Sequence, residues 1–219
     1  KAKEKIDKAE LALKEFAKKY PYRKDPSKIS NLTGKMLYDS GSGEYFFIWI
    51  EHKTKALGAI FTYGGNVYPN AVSNISLFKQ LLRNAVNDAI PVSTKIDDAW
   101  EKIKGFGGDK LIAKKIIFCY YSNDYLPIFK TEHLELFCNK LGIQYEDLSL
   151  ERYGTIYSEL TVGKKFELLN GLLMTEWKTY VPNIDKNEYC AYLYESNEYR
   201  TASKCVKRDG TIPLNKIGL

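Results

Sequence analysis

From residue 75 to about residue 195 apolar side chains return every three or four positions, a rhythm that commits more than half of the chain to amphipathic helices. Leu77, Phe78, Leu81, Leu82, Ala85, Val86, Ala89 and Ile90 keep the i, i+3, i+4 spacing until Pro91. A short helix is expected over 96–104 around Trp100, and an apolar one over Lys110–Tyr121. Thr131 reads as the N-cap of a helix that runs to Leu141 and is halted by Gly142. Gly163–Trp177 carries Phe166, Leu169, Leu172, Leu173 and Trp177 on one side, and Asp185 reads as the cap of a last helix over Lys186–Glu195. Leu148–Leu160 fits neither period. At the other end, residues 3–19 form an amphipathic stripe of Ile6, Ala9, Leu13, Phe16 and Ala17, closed by Tyr20-Pro21.

Residues 44–63 differ in character. Glu44–His52 and Ala56–Tyr63 are aromatic and β-branched, with a polar Lys53-Thr54-Lys55 link between them, which reads as a hairpin. Alternation then places Phe46, Ile48 and Ile50 on a core face and Tyr45, Phe47 and Trp49 on the other. The expected fold class is therefore α+β: a small aromatic-rich antiparallel sheet (hairpin 44–63) with a larger, mainly helical part. The expected organisation is a helix and hairpin region over 1–74, a helical region over 75–196 packed with it as one domain, and a basic tail or linker over 197–219.

Lys and Arg number 33 against 27 acidic residues, for a net charge of +6. That permits an anionic partner without demanding one. Twenty-eight of the 33 are lysines, compact charges that suit phosphates better than the bidentate reading of guanine. Ten basic and five acidic side chains fall within residues 1–28, where a solvated helix face explains them as well as a ligand does. The four cysteines (Cys119, Cys138, Cys190, Cys205) show no zinc spacing and point to buried, reduced thiols and a cytoplasmic setting. No apolar run approaches the ~18 residues of a membrane span. The two histidines, His52 and His133, have no local nucleophile or metal partner, and no Walker-type loop occurs, so neither an enzyme nor a cofactor is expected.

Two constellations remain. Residues 103–110 set Gly105, Gly107 and Gly108 between two helices, in the manner of a helix-hairpin-helix turn whose amides reach a phosphate. Lys104, Lys110, Lys114 and Lys115 would add charge there; an ordinary tight turn is the competing reading. On the hairpin, Tyr45, Phe47 and Trp49, with Phe61 and Tyr63 opposite, could wall a slot for a flipped base, or simply fill a core.

Read in order, these segments resemble the N-terminal module of McrB-type AAA+ restriction proteins. The likeness covers residues 45 to about 195. Its first element is an aromatic segment followed by Glu51, Lys53, Thr54, Leu57 and Gly58. Then comes Leu126-Pro127-Ile128-Phe129 with Glu132 and Leu134, followed by Leu169, Asn170, Leu173, Glu188, Tyr189, Tyr192, Leu193 and Tyr194. The resemblance implies a module that binds DNA, often recognising a modified (methylated) base, within a type IV-like restriction system. It is non-catalytic by itself. An AAA+ motor that hydrolyses GTP or ATP would follow in the same chain and engage a nuclease subunit, and the present sequence would be an excised N-terminal piece ending in a linker. The alternative is a protein-interaction or assembly module that docks a partner through its aromatic face.

Overall fold

The computed structural model describes residues 2–60 and 66–196, and no strand occurs among them. In chain order the helices are α1 (Ala2–Lys19), α2 (Gly34–Leu37), α3 (Phe46–Ile48), α4 (Val67–Ser73), α5 (Ile75–Ala85) and α6 (Val92–Asp97), then α7 (Leu111–Tyr120), α8 (Thr131–Lys140), α9 (Glu146–Tyr153), α10 (Val162–Tyr180) and α11 (Lys186–Ser196). Short 3-10 turns cover Pro26–Asn31, Trp100–Lys102 and Tyr157–Glu159, and a wide π-type turn, Trp49–Lys53, continues α3.

The expected antiparallel sheet is therefore absent, and the correction has a local cause. Phe46-Phe47-Ile48-Trp49-Ile50 is apolar at every position, so it carries no period that separates strand from helix. A helical coil radiates these side chains in several directions, and here all but the half-buried Ile48 are buried. Phe46 packs on Phe16, Tyr20 and Phe78, with ring centroids 5.2–5.9 Å apart. Phe47 stacks on Tyr68 at 4.1 Å. The polar link does not turn a hairpin: the Thr54 hydroxyl donates to the Trp49 and Ile50 carbonyls at 2.8 and 3.1 Å and closes the wide turn. Phe61 and Tyr63, the other half of the expected hairpin, lie outside the described residues, as does the expected tail 197–219.

Helical periodicity elsewhere produces the expected elements with shifted ends. The 75–90 stripe stops at Ala85, and the 96–104 helix divides into α6 and the turn holding Trp100. Thr161 caps α10 by accepting from Lys164 N at 3.2 Å, and Asp185 caps α11 by accepting from the N–H groups of Asn187 and Glu188. Thr131 is not a cap; Lys130 holds the cap position without a side-chain capping bond, and the Thr131 hydroxyl is used in a tertiary contact. One buried set runs from Ile6 to Leu193, so the N-terminal helix and the helical region share a core. α1 packs on the π-type turn, α7 and α11, while α10 packs on α6 and α8.

The α6–α10 crossing is close because Gly163 sits in it. A Cβ there would fall 2.7 Å from Asp97 Oδ2 and deeper still into the Ser93 carbonyl oxygen. Removing the side chain lets Asp97 Oδ1 accept the Gly163 N–H at 2.8 Å.

His133 is half-buried rather than a free surface residue. Its Nδ1 lies 3.1 Å from Tyr194 Oη, where α8 meets α11. Burial, and secondarily the Lys130 charge, pulls its pKa down to about 4. The unfolded chain, near 6.5, therefore takes up this proton first, so stability should fall as pH drops from about 6.5 towards 4. The expected loss is about 2 kcal/mol. Urea titrations at a series of pH values would measure it, and His133→Phe should flatten that part of the profile.

Candidate nucleic-acid interface

The glycine turn is set by its neighbours. Lys104 O accepts from Asn70 Nδ2 at 3.0 Å, and Gly105 adopts φ +97° against α4, where a Cβ would meet Val67 Cγ2 at 2.8 Å. Phe106 turns inward and stacks on Trp100, centroids 6.3 Å apart. Lys104, Gly105 and Gly108 are exposed and Gly107 half-buried. The N–H groups of the three glycines donate to no acceptor among the described residues. Lys102, not singled out in the sequence, is exposed beside them; its position on the solvent side of a 3-10 turn was not legible from spacing.

The other three lysines of the expected phosphate site point elsewhere. Lys110 donates to Asp98 O at 2.8 Å and Glu101 Oε2 at 2.6 Å. Lys114 is fully buried and donates to Asp109 Oδ1 (2.8 Å), Phe129 O (2.9 Å) and Thr131 Oγ1 (3.1 Å). Lys115, also fully buried, donates to the carbonyls of Thr54, Leu57 and Gly58 at 3.0, 2.6 and 2.9 Å. Both follow from their place on α7, a helix that is buried on nearly every side. Burial lowers both pKa values, that of Lys115 to about 8. Three carbonyls around one nitrogen still call for three N–H donors, so the ammonium is the form that fits. Neither lysine can reach a phosphate in this arrangement.

The aromatic row is likewise internal. Tyr45 meets Tyr38 edge-on at 5.2 Å, Phe47 is fully buried, and Trp49 is buried beneath the Lys53 ammonium, 3.7 Å from its ring centroid. Among the described residues no open slot for a base separates these three rings. Sequence reasoning passed over Lys19 and Glu44 beside this ring: Lys19 Nζ lies 5.6 Å from the same centroid and 2.6 Å from Glu44 Oε2, while Lys53 pairs with Glu44 Oε1. Their separation in sequence, 25 and nine residues, gave no signal.

A surface depression of about 290 Å³ between α6 and α10 is lined by Ser93, Asp97, Asp98 and Lys164 among others, and its two carboxylates disfavour a phosphate. Among the described residues no three His, Cys, Asp or Glu side chains are grouped to hold a metal ion. Cys119, Cys138 and Cys190 are buried and unpaired, and burial raises all three thiols. No helix among the described residues is long and apolar enough to cross a membrane. Comparison with protein-family models, curated proteins and solved structures finds no match to this chain.

Proposed function

We propose that this chain is a DNA-binding specificity module of a modification-dependent restriction system, resembling the N-terminal module of McrB-type AAA+ proteins and without catalysis of its own. The observation that carries the reading is the surface turn at 102–108. There two lysines, Lys102 and Lys104, make no ion pair among the described residues and flank glycine amides open to an acceptor. Backbone amides and ammonium groups presented together suit a phosphodiester, and the excess of lysine over arginine suits positioning on the backbone. Base selection, in this reading, belongs to a pocket other than the closed Tyr45–Phe47–Trp49 row. Hydrolysis of nucleotide belongs to a following motor, and cleavage to the nuclease that the motor engages.

Salt dependence tests the reading. Lys102→Ala with Lys104→Ala should weaken binding to short duplexes about tenfold at low salt, alike for unmodified, methylated-adenine and methylated-cytosine probes, and flatten the log–log salt slope by up to about two. An unchanged slope would remove the turn from the interface. A protein-docking reading keeps one specific support, since Leu150 and Ile156 near α9 are 55% and 52% exposed. Binding through them should be nearly indifferent to salt.

A further inference from the structure

We propose that the Lys19 and Lys53 ammonium groups, seated over the Trp49 ring, form an anion site for a nucleic-acid phosphate, and that Glu44 masks it by holding both of them. The inference rests on the DNA-binding reading above and adds a second, self-inhibited contact to it.

The geometry is that of a site already occupied by an internal stand-in. Lys19 ends α1 and Lys53 ends the π-type turn, and α1 packs against that turn, so the two stems are fixed by separate elements that meet. Their ammonium groups converge on one carboxylate, each taking a different oxygen: Lys19 on Oε2 at 2.6 Å, Lys53 on Oε1. The two non-bridging oxygens of a phosphodiester present the same pair of acceptors and the same single negative charge. Both cations also sit over the Trp49 ring, which is 5% exposed, at 5.6 and 3.7 Å from its centroid. The indole N–H has no acceptor among the described residues, so the ring is held by packing and by these cations.

Glu44 itself is placed to leave. Its side chain is 50% exposed, and it follows the loop Asp39-Ser-Gly-Ser-Gly, outside any helix, so withdrawing it unpacks no core element. Its main chain is tethered only locally, the N–H donating to Ser42 Oγ at 3.0 Å. The two lysines hold its carboxyl at about 2, well below the usual carboxylate range, which keeps the mask charged at neutral pH.

The experiment is a salt series of anisotropy titrations with a labelled, unmodified duplex. Glu44→Gln should bind about fivefold more tightly than wild type at low salt, with a slope steeper by about one. Adding Lys19→Met and Lys53→Met to that variant should return affinity to the wild-type level or below. Melting curves of each variant confirm folding, since all three side chains are at least partly exposed. Equal affinity and slope for wild type and Glu44→Gln, with Lys102→Ala/Lys104→Ala still weakening both, overturns the mask and leaves the DNA reading intact. Absence of binding by any of these proteins at low salt overturns both. Displacement of the duplex from Glu44→Gln by millimolar inorganic phosphate at fixed ionic strength would assign the site to free phosphate and overturn the nucleic-acid assignment.

Discussion

Lys115→Met is expected to destabilise the protein by about 2–4 kcal/mol. Methionine matches the length and apolar stem of lysine and relieves the burial of a charge, which by itself favours the substitution. The acceptors, however, are the main-chain carbonyls of Thr54, Leu57 and Gly58, and they remain after the ammonium is gone. The Thr54 carbonyl keeps the Leu57 N–H at 2.9 Å, but the Leu57 and Gly58 carbonyls lose their donor at about 1–3 kcal/mol each, which outweighs the relief. The measurement is the urea midpoint of Lys115→Met against that of Lys104→Met, an exposed lysine on the preceding turn whose replacement should move stability by less than about 0.5 kcal/mol. Equal midpoints would mean that the Leu57 and Gly58 carbonyls find water or other donors and that α7 does not depend on this contact.

Gly163→Ala should cost about 3 kcal/mol, although alanine is the better helix former by about 1 kcal/mol. The added methyl would collide with the Ser93 carbonyl and the Asp97 carboxylate, neither of which is the loose end of a long side chain. Asp97 also receives the Gly163 N–H and the Thr161 hydroxyl, so pushing α10 away from α6 loses these bonds together. Gly171→Ala on the same helix has open space at its Cβ and should stabilise instead. Thermal melting of the pair gives opposite signs if close approach decides, and the same sign if only helix propensity does.

Five of the residues that support the McrB-type resemblance, Thr54, Leu57, Gly58, Phe129 and Asn170, turn out to be fold-holding ones. Thr54, Leu57 and Gly58 surround the Lys115 ammonium, and Phe129 supplies a carbonyl to Lys114. Asn170, fully buried, pairs its amide with both main-chain groups of Leu126, at 2.9 and 3.0 Å. These positions report how the chain is pinned together, not what it touches, which is why the motifs did not locate the exposed lysines. Of the seven expected phosphate-contacting residues, the turn keeps Lys104 and the three glycines at the surface and directs Lys110, Lys114 and Lys115 inward. A lysine's sequence neighbours do not reveal whether its stem runs along the surface or through the core, because the stem is apolar and fits either place.

What the sequence determined was the longer helices, α1, α5, α7, α8, α10 and α11: amphipathic period, a capping aspartate at 185 and the break before Pro21 are local signals, and local energetics decided them. The fate of residues 45–53, the direction of each lysine and the meeting of Lys19, Glu44 and Lys53 were decided only by tertiary packing. A uniformly apolar run carries no periodic signal, and a charge's partner is set by which elements lie against each other, so neither can be read before the core is assembled.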